Sequence, residues 1–225
     1  MLPAAVTNNW RFIAAALGIT LELALASIAI GLLLGLLVGL GRSYGGRALD
    51  AALSFYVDTM RAIPVLAILV WVFFAAPMLL GTALRPFTAA AAGLGLHLGA
   101  YVAEAVRAGL LSVRQGQTRA ALALGMTRVQ AVRVVVLPQA LIRVLPALGS
   151  LLTFAVKDTA IAAVIAVPEL MRQSQIIAGQ TYQPFPIYTA ALLIYFGLCF
   201  PVARRTVTKY RKALNILSSR QRKQF

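Results

Sequence analysis

From Phe12 to Leu40 the chain carries one charged residue, Glu22, and no proline. A bilayer hydrocarbon core is about 30 Å thick, and about 20 apolar residues in a helix cross it. Further apolar runs follow at about 53–80, 87–106, 141–167 and 187–202. Lipid offers no hydrogen-bond partners, so each run must satisfy its backbone internally, as helix. The expected fold is therefore an all-α membrane protein with five transmembrane helices, in one domain over 1–225. The composition agrees: 60% of the residues are hydrophobic, whereas a soluble domain holds about 45–50%. In the first run Gly31, Gly35 and Gly39 recur every four residues. That spacing puts them on one helix face, where another helix can approach closely. The first eleven residues are mixed in character and do not resemble a cleavable signal peptide.

The charges orient these spans. Net charge is +15, from 21 basic and 6 acidic residues. Arg42, Arg47 and Arg61 follow the first run; Arg107, Arg114, Arg119, Arg128, Arg133 and Arg143 lie around the loop after the third. The tail, about 204–225, adds Arg204, Arg205, Lys209, Arg211, Lys212, Arg220, Arg222 and Lys223. The opposite side has only Arg11, Arg85 and Arg172, and Lys157 falls inside a run. Basic loops face the cytoplasm, so the N-terminus is expected outside and the C-terminus in the cytoplasm. A tail this basic also suits anionic lipid. In this class of protein the charge needs no nucleic acid to explain it. The single Cys199 and single His97 argue against disulfides, cysteine- or histidine-rich metal sites and a Ser-His hydrolase.

The loop between the third and fourth runs, about 107–140, is a polar, arginine-bearing island. Its centre reads as two short helices. Ala120 to Leu124 are good helix formers. Gly125 can take the positive φ that ends a helix. Val129, Val132 and Val136 resume a helical spacing, and Pro138 stops or kinks the helix at that point.

This island resembles the cytoplasmic EAA loop of ABC-importer permeases. Ala120 and Ala121 stand at its two Ala positions, Gly125 at its Gly, Val135 at its Ile, and Leu137-Pro138 at its closing Leu-Pro. Arg119 departs from the pattern, which has Glu there. Other stretches are similar to the polar amino-acid branch of these permeases. They are Met60-Arg-Ala-Ile-Pro-Val-Leu66, Ala100-Tyr-Val-Ala-Glu-Ala-Val-Arg-Ala-Gly109, Lys157-Asp-Thr-Ala-Ile-Ala-Ala-Val-Ile165 and Val167-Pro-Glu-Leu170. Together they span about 10–210. The resemblance implies a MetI-like, type I importer fold. It implies two ATP-binding subunits, a second permease subunit, identical or homologous, and a periplasmic or lipid-anchored substrate-binding protein. ATP and Mg would belong to the partner ATPase, with no cofactor and no catalysis on this chain, in a bacterial inner membrane. Gly116, Arg119, Ala120, Ala121, Leu124, Gly125, Met126 and Arg128 would meet the ATPase.

Within the spans, Glu104 and Arg107 are placed i,i+3, so they can pair as a structural contact or as a moving gate. Asp58 and Arg61 have the same relation, and Pro64 should kink or start the membrane part of the second span. Ionisable groups at membrane depth cost about 2.5–3.5 kcal/mol each unless they are paired or face an interior. Lys157 and Asp158 point about 100° apart on a helix and cannot simply neutralise each other. Asp158 and Thr159, with Leu152 and Ala155 on the same span, either line a transport path or belong to a network that holds the bundle. His97, one turn before Tyr101, is a core histidine or a ligand; the family resemblance, which places its amino-acid site nearby, raises the second reading. With no clear surplus of acid in the spans, an acidic amino acid or its amide is expected: glutamate, aspartate or glutamine. Competing classes fit less well. A secondary transporter would need relays and repeats, a hydrolase a nucleophile and base, and an assembly factor none of these motifs.

Overall fold

The computed structural model describes residues 4–213, so the end of the basic tail expected at about 204–225, residues 214–225, lies outside the described residues. Among the described residues the secondary structure is helical throughout. A short α1 (Ala4–Asn8) precedes α2 (Trp10–Tyr44). At 35 residues α2 is roughly 50 Å long, which exceeds the hydrocarbon thickness and calls for tilt. Then α3 (Arg47–Ala62) runs back alongside α2 and breaks at Ile63-Pro64 into α4 (Val65–Val70). A π-helical stretch (Trp71–Ala75) and α5 (Ala76–Leu80) continue it. The second expected span thus falls on a pair of helices that are bent by 106° at this break and are together long and apolar enough to cross a membrane. Pro64 accounts for the bend, since it can neither donate to the α3 ladder nor let Ile63 stay helical; Ile63 is extended, with φ −88° and ψ 133°.

After a left-handed turn at Gly81, α6 (Pro86–Leu111) crosses at the centre of the bundle. Its apolar window is 72% buried, against 33% for α2. The glycine face does what its spacing predicts. Gly31, Gly35 and Gly39 lie against Leu98, Val102 and Val106 of α6, and a Cβ at Gly31 or Gly39 would stand 2.8 Å from its neighbour. The two helices run parallel in close contact. Their seam joins a core of Leu110, Val113, Val136, Ala140, Val144 and Ala155.

Then come α7 (Gln115–Ala123), α8 (Arg128–Ala131), a π-helical stretch (Val132–Val136) and α9 (Leu137–Asp158). The fourth span does not end as α-helix. It tightens into a 3-10 segment (Thr159–Ile165) and stops at Ala166, which is left-handed with φ 61°. Next, α10 (Leu170–Thr181) packs on the ends of α2 and α11 (Pro184–Ala213) through Leu170, Ile177, Ile187 and Ala191. No apolar run marks α10, which is polar on its open side. Among the described residues four helices are long and apolar enough to cross a membrane, and counting the bent pair as one span gives five.

Candidate functional site

The polar island folds as its sequence dictates. Gly125 takes φ 83°. With it the end of α7 forms a complete left-handed cap: the Met126 N–H donates to Ala121 O at 3.2 Å, and the Gly125 N–H donates to Leu122 O at 3.0 Å. Two residues later Thr127 opens α8 with a reciprocal capping box. The Gln130 N–H donates to Thr127 Oγ1 at 3.3 Å, and the Thr127 N–H to Gln130 Oε1 at 2.8 Å. One cap ends a helix and the other starts the next with no slack between them, so the loop is a fixed elbow. Ala121 is buried inside it. Outside, Gly116, Arg119, Ala120 and Arg128 are exposed and Met126 is half-buried. Arg119 reaches only Gln115, at 3.5 Å. Leu124 is 81% exposed and Val129 75%. A polar loop that displays two large apolar side chains on a rigid elbow has the form of a docking edge.

Two contacts root the elbow in the spans. Gly109 of α6 lies so close to Val144 of α9 that a Cβ there would overlap the valine. Beside it, Arg143 of α9 donates to the carbonyl and hydroxyl oxygens of Ser112, just past the end of α6. These contacts tie α6 and α9, the helices on either side of the elbow, to each other.

Further into the bundle, Glu104 corrects a sequence expectation. It does not pair with Arg107. Its Oε2 accepts from Arg42 Nη1 at 2.7 Å, and Arg61 Nη1 lies 4.0 Å away. Arg42 Nε faces Asp50 at 3.6 Å, and the Arg42 side chain is only 8% exposed. The expected Asp58–Arg61 pair is likewise absent among the described residues; Arg61 turns to Glu104 and lies over the Tyr101 ring, 5.5 Å from its centroid. A buried guanidinium must have a counter-charge, and Glu104 faces the α2–α3 side of α6 where Arg42 waits. The contacts continue inward. Tyr101 meets the His97 ring edge-on at 5.1 Å, and His97 is buried. Charged and polar groups thus run from Asp50 through Arg42, Glu104, Arg61 and Tyr101 to His97.

On the fourth span, Lys157 and Asp158 do not pair with each other, as their helical spacing predicts. Lys157 turns toward α11, where it lines a cavity of about 430 Å³ with Thr153, Tyr195, Phe196, Cys199, Phe200 and Ala203. Asp158 and Leu152 are half-buried. Ala155 is buried in the core shared with α6. Thr159 is fully buried and donates to Val156 O at 2.7 Å.

Sequence reasoning passed over three groups. Arg42 counts in the sequence only as a loop charge, because nothing local reveals that its partner sits on α6. Glu169 is fully buried and caps α10, accepting from the Met171 N–H at 2.8 Å and the Arg172 N–H at 2.7 Å. Tyr195 of α11 donates to the same carboxylate at 3.0 Å. Burial pushes the Glu169 carboxyl up from its ordinary value, and these three donors pull it back. The available signal was an acid directly after Pro168 and ahead of a polar helical stretch, the order of an N-terminal cap.

Comparison with known proteins bears on this geometry. A family model described as binding-protein-dependent transport system inner membrane component matches residues 27–204. The glutamine transport system permease protein GlnP of Escherichia coli (strain K12) is 36% identical over 177 residues, 78% of this chain and 81% of that protein. A crystal structure of an amino acid ABC transporter with histidines superposes with a TM-score of 0.84 at 33% identity, covering 92% of this chain and 96% of that one. An inward facing MetNI methionine ABC transporter gives a TM-score of 0.77 at 24% identity, a likeness of fold. A second family model, Sigma-54, DNA binding domain, matches residues 194–224. That short stretch begins within α11, inside a membrane-length apolar helix, and assigns no family.

Proposed function

The chain belongs to the binding-protein-dependent transport system inner membrane components, and from that premise we propose that it is the permease subunit of an importer for glutamine or a close acidic relative, driven through the elbow at Gly125. It is an amino-acid ABC transporter permease by its relatives. The elbow carries the coupling reading. It is capped at both helix ends, it displays Leu124 and Val129, and it is rooted in α6 and α9 at Gly109, Val144, Ser112 and Arg143. Two ATP-binding subunits would seat this edge, with ATP and Mg held on them. A second permease subunit would close the path, and a binding protein would deliver substrate on the outer face. The N-terminus lies outside and the C-terminus in the cytoplasm in this reading, because the basic loops mark the inner side. ATP-driven closure of the partners moves the elbow, and α6 and α9 follow as a unit. Substrate must bind the two resulting states differently for the motion to be coupled to transport.

The substrate class is argued from charge. Glu104 is already engaged by Arg42, with Arg61 4.0 Å away, and Lys157 adds positive charge within the fourth span. Asp158, which makes no ion pair among the described residues, can meet one ammonium group, that of a zwitterion. A cationic side chain would need a second acid. Proteoliposomes holding the permease, its ATPase and its binding protein should take up labelled glutamine only with ATP. Unlabelled glutamine, glutamate or aspartate should compete. Strong competition by arginine or lysine, with none by glutamine or an acidic amino acid, would refute the assignment.

A further inference from the structure

Glu169 lies outside the coupling elbow and makes no hydrogen bond to the substrate-path residues among the described residues, yet it sits where four segments meet. It is fully buried, with no basic side chain in an ion pair to it among the described residues. Its carboxylate takes two backbone N–H groups at the start of α10 and the Tyr195 hydroxyl of α11. The remaining N–H of that first turn, on Leu170, donates to Thr20 Oγ1 of α2 at 3.0 Å, and Thr20 is itself fully buried. The Tyr195 hydroxyl also lies beside Thr159 and Thr20, whose own hydroxyls donate to Val156 O and Ala16 O. One buried polar knot therefore touches α2, the 3-10 segment, α10 and α11.

The 3-10 segment needs such a hold. Its hydrogen-bond geometry is poorer than that of an α-helix, and runs beyond three or four residues are uncommon. It spans seven residues and ends on a left-handed alanine, a conformation that costs a non-glycine residue about 1–2 kcal/mol. The segment starts directly after Asp158. Whatever fixes its far end also sets where Asp158 and Lys157 stand.

We propose that Glu169 is a positioning residue that acts through Tyr195, holding the 3-10 segment Thr159–Ile165, and with it Asp158, in place against α2 and α11. The knot makes the outer end of the fourth span a single block with α10, so a contact on α10 from the outer side is felt at Asp158. This use of the knot rests on the reading of the chain as a binding-protein-fed permease, but its structural core does not.

Amide hydrogen exchange on the whole transporter complex separates the two. Tyr195→Phe removes the bridge while leaving the cap of α10 intact. It should speed exchange across Thr159–Ile165 by about tenfold, the size expected for losing a hydrogen bond to a charged acceptor. The amides of Leu170, Met171 and Arg172 should keep their protection. Glu169→Gln should speed both sets, with α6 unchanged. Wild-type exchange across Thr159–Ile165 in Tyr195→Phe would overturn the proposal, because Glu169 would then serve α10 alone. Glutamine uptake by the same complexes gives the functional arm. It should fall in both variants, with KM for the loaded binding protein raised and basal ATP hydrolysis unchanged; a fall in basal hydrolysis with unchanged KM would also overturn the positioning role. Absence of glutamine uptake by the unmodified complex would instead count against the substrate assignment and leave the exchange result standing.

Discussion

The α2–α6 seam and the α9–α11 side of the bundle are built in opposite ways. Along the seam, three glycines meet Leu98, Val102 and Val106 with no room for a methyl group. The helices there are regular and α6 is largely covered. On the other side, the apolar windows of α9 and α11 are only 17% buried. Pro146 and Pro201 lie inside the helices, a π-helical stretch precedes α9 and a 3-10 segment ends it, and a cavity opens at Lys157. Close-packed glycine contacts have one good arrangement and resist displacement. Irregular helices with open faces have alternatives and must be covered by something else, lipid or a partner. One half serves as a spine, and the other is where a second subunit and a moving substrate path would be accommodated.

Breaking the spine should have the largest effect. Gly35→Val places a branched side chain against Val102 and should destabilise by about 3 kcal/mol or more, the upper range for overpacking a close contact. Thermal unfolding in detergent should show it as a large loss of midpoint or of folded yield. A midpoint within error of wild type would mean that the seam is not held by close packing. Next comes the ion cluster at the inner end of the spine. Glu104→Gln leaves the buried Arg42 with Asp50 alone, 3.6 Å from its Nε, and a cost of about 2 kcal/mol is expected, discounted because Glu104 is partly exposed. Arg107→Gln should be close to neutral in the same melt. Equal losses from the two variants would restore the i,i+3 pair that the structure lacks.

Legibility in the sequence tracks the reach of each signal. The spans were legible because hydrophobicity over twenty residues is a local sum. The glycine face came from a period of four, the elbow from one glycine between two helical patterns, and the bend from Pro64. Each needs only neighbours along the chain. The partner of Glu104 was not legible, because Arg42 is 62 residues away and any arginine near a span end would have fitted the pattern equally well. The 3-10 segment reads as helix, since Thr-Ala-Ile-Ala-Ala-Val-Ile carries no stop signal of its own; its end is set by Ala166 in a conformation that alanine rarely adopts. The order of an N-terminal cap at Glu169 is local, but its burial among α2 and α11 and its Tyr195 partner are not, and no local window reports them. Tertiary contacts between distant segments decided each of these cases.

The smallest effect is expected at the docking edge. Arg119 is exposed and reaches only Gln115, so Arg119→Ala should change stability by under about 0.5 kcal/mol, as surface substitutions do. Transport should fall less than on changing the elbow itself. A loss at Arg119 as large as at Gly125 would reveal an acidic partner for it on the ATPase, in keeping with its place where the family pattern has Glu.

The elbow is the point through which the proposed transport is driven, and Gly125→Val tests it most directly. Nothing lies within 4 Å of a Cβ at Gly125, so the substitution acts only through its φ of 83°, a backbone conformation that a β-branched residue resists. The measurement is ATP hydrolysis stimulated by the loaded binding protein, alongside glutamine uptake, in proteoliposomes carrying equal amounts of inserted protein. The variant should insert normally, lose stimulation and lose uptake. Wild-type stimulation and uptake in Gly125→Val would contradict the elbow's role in coupling.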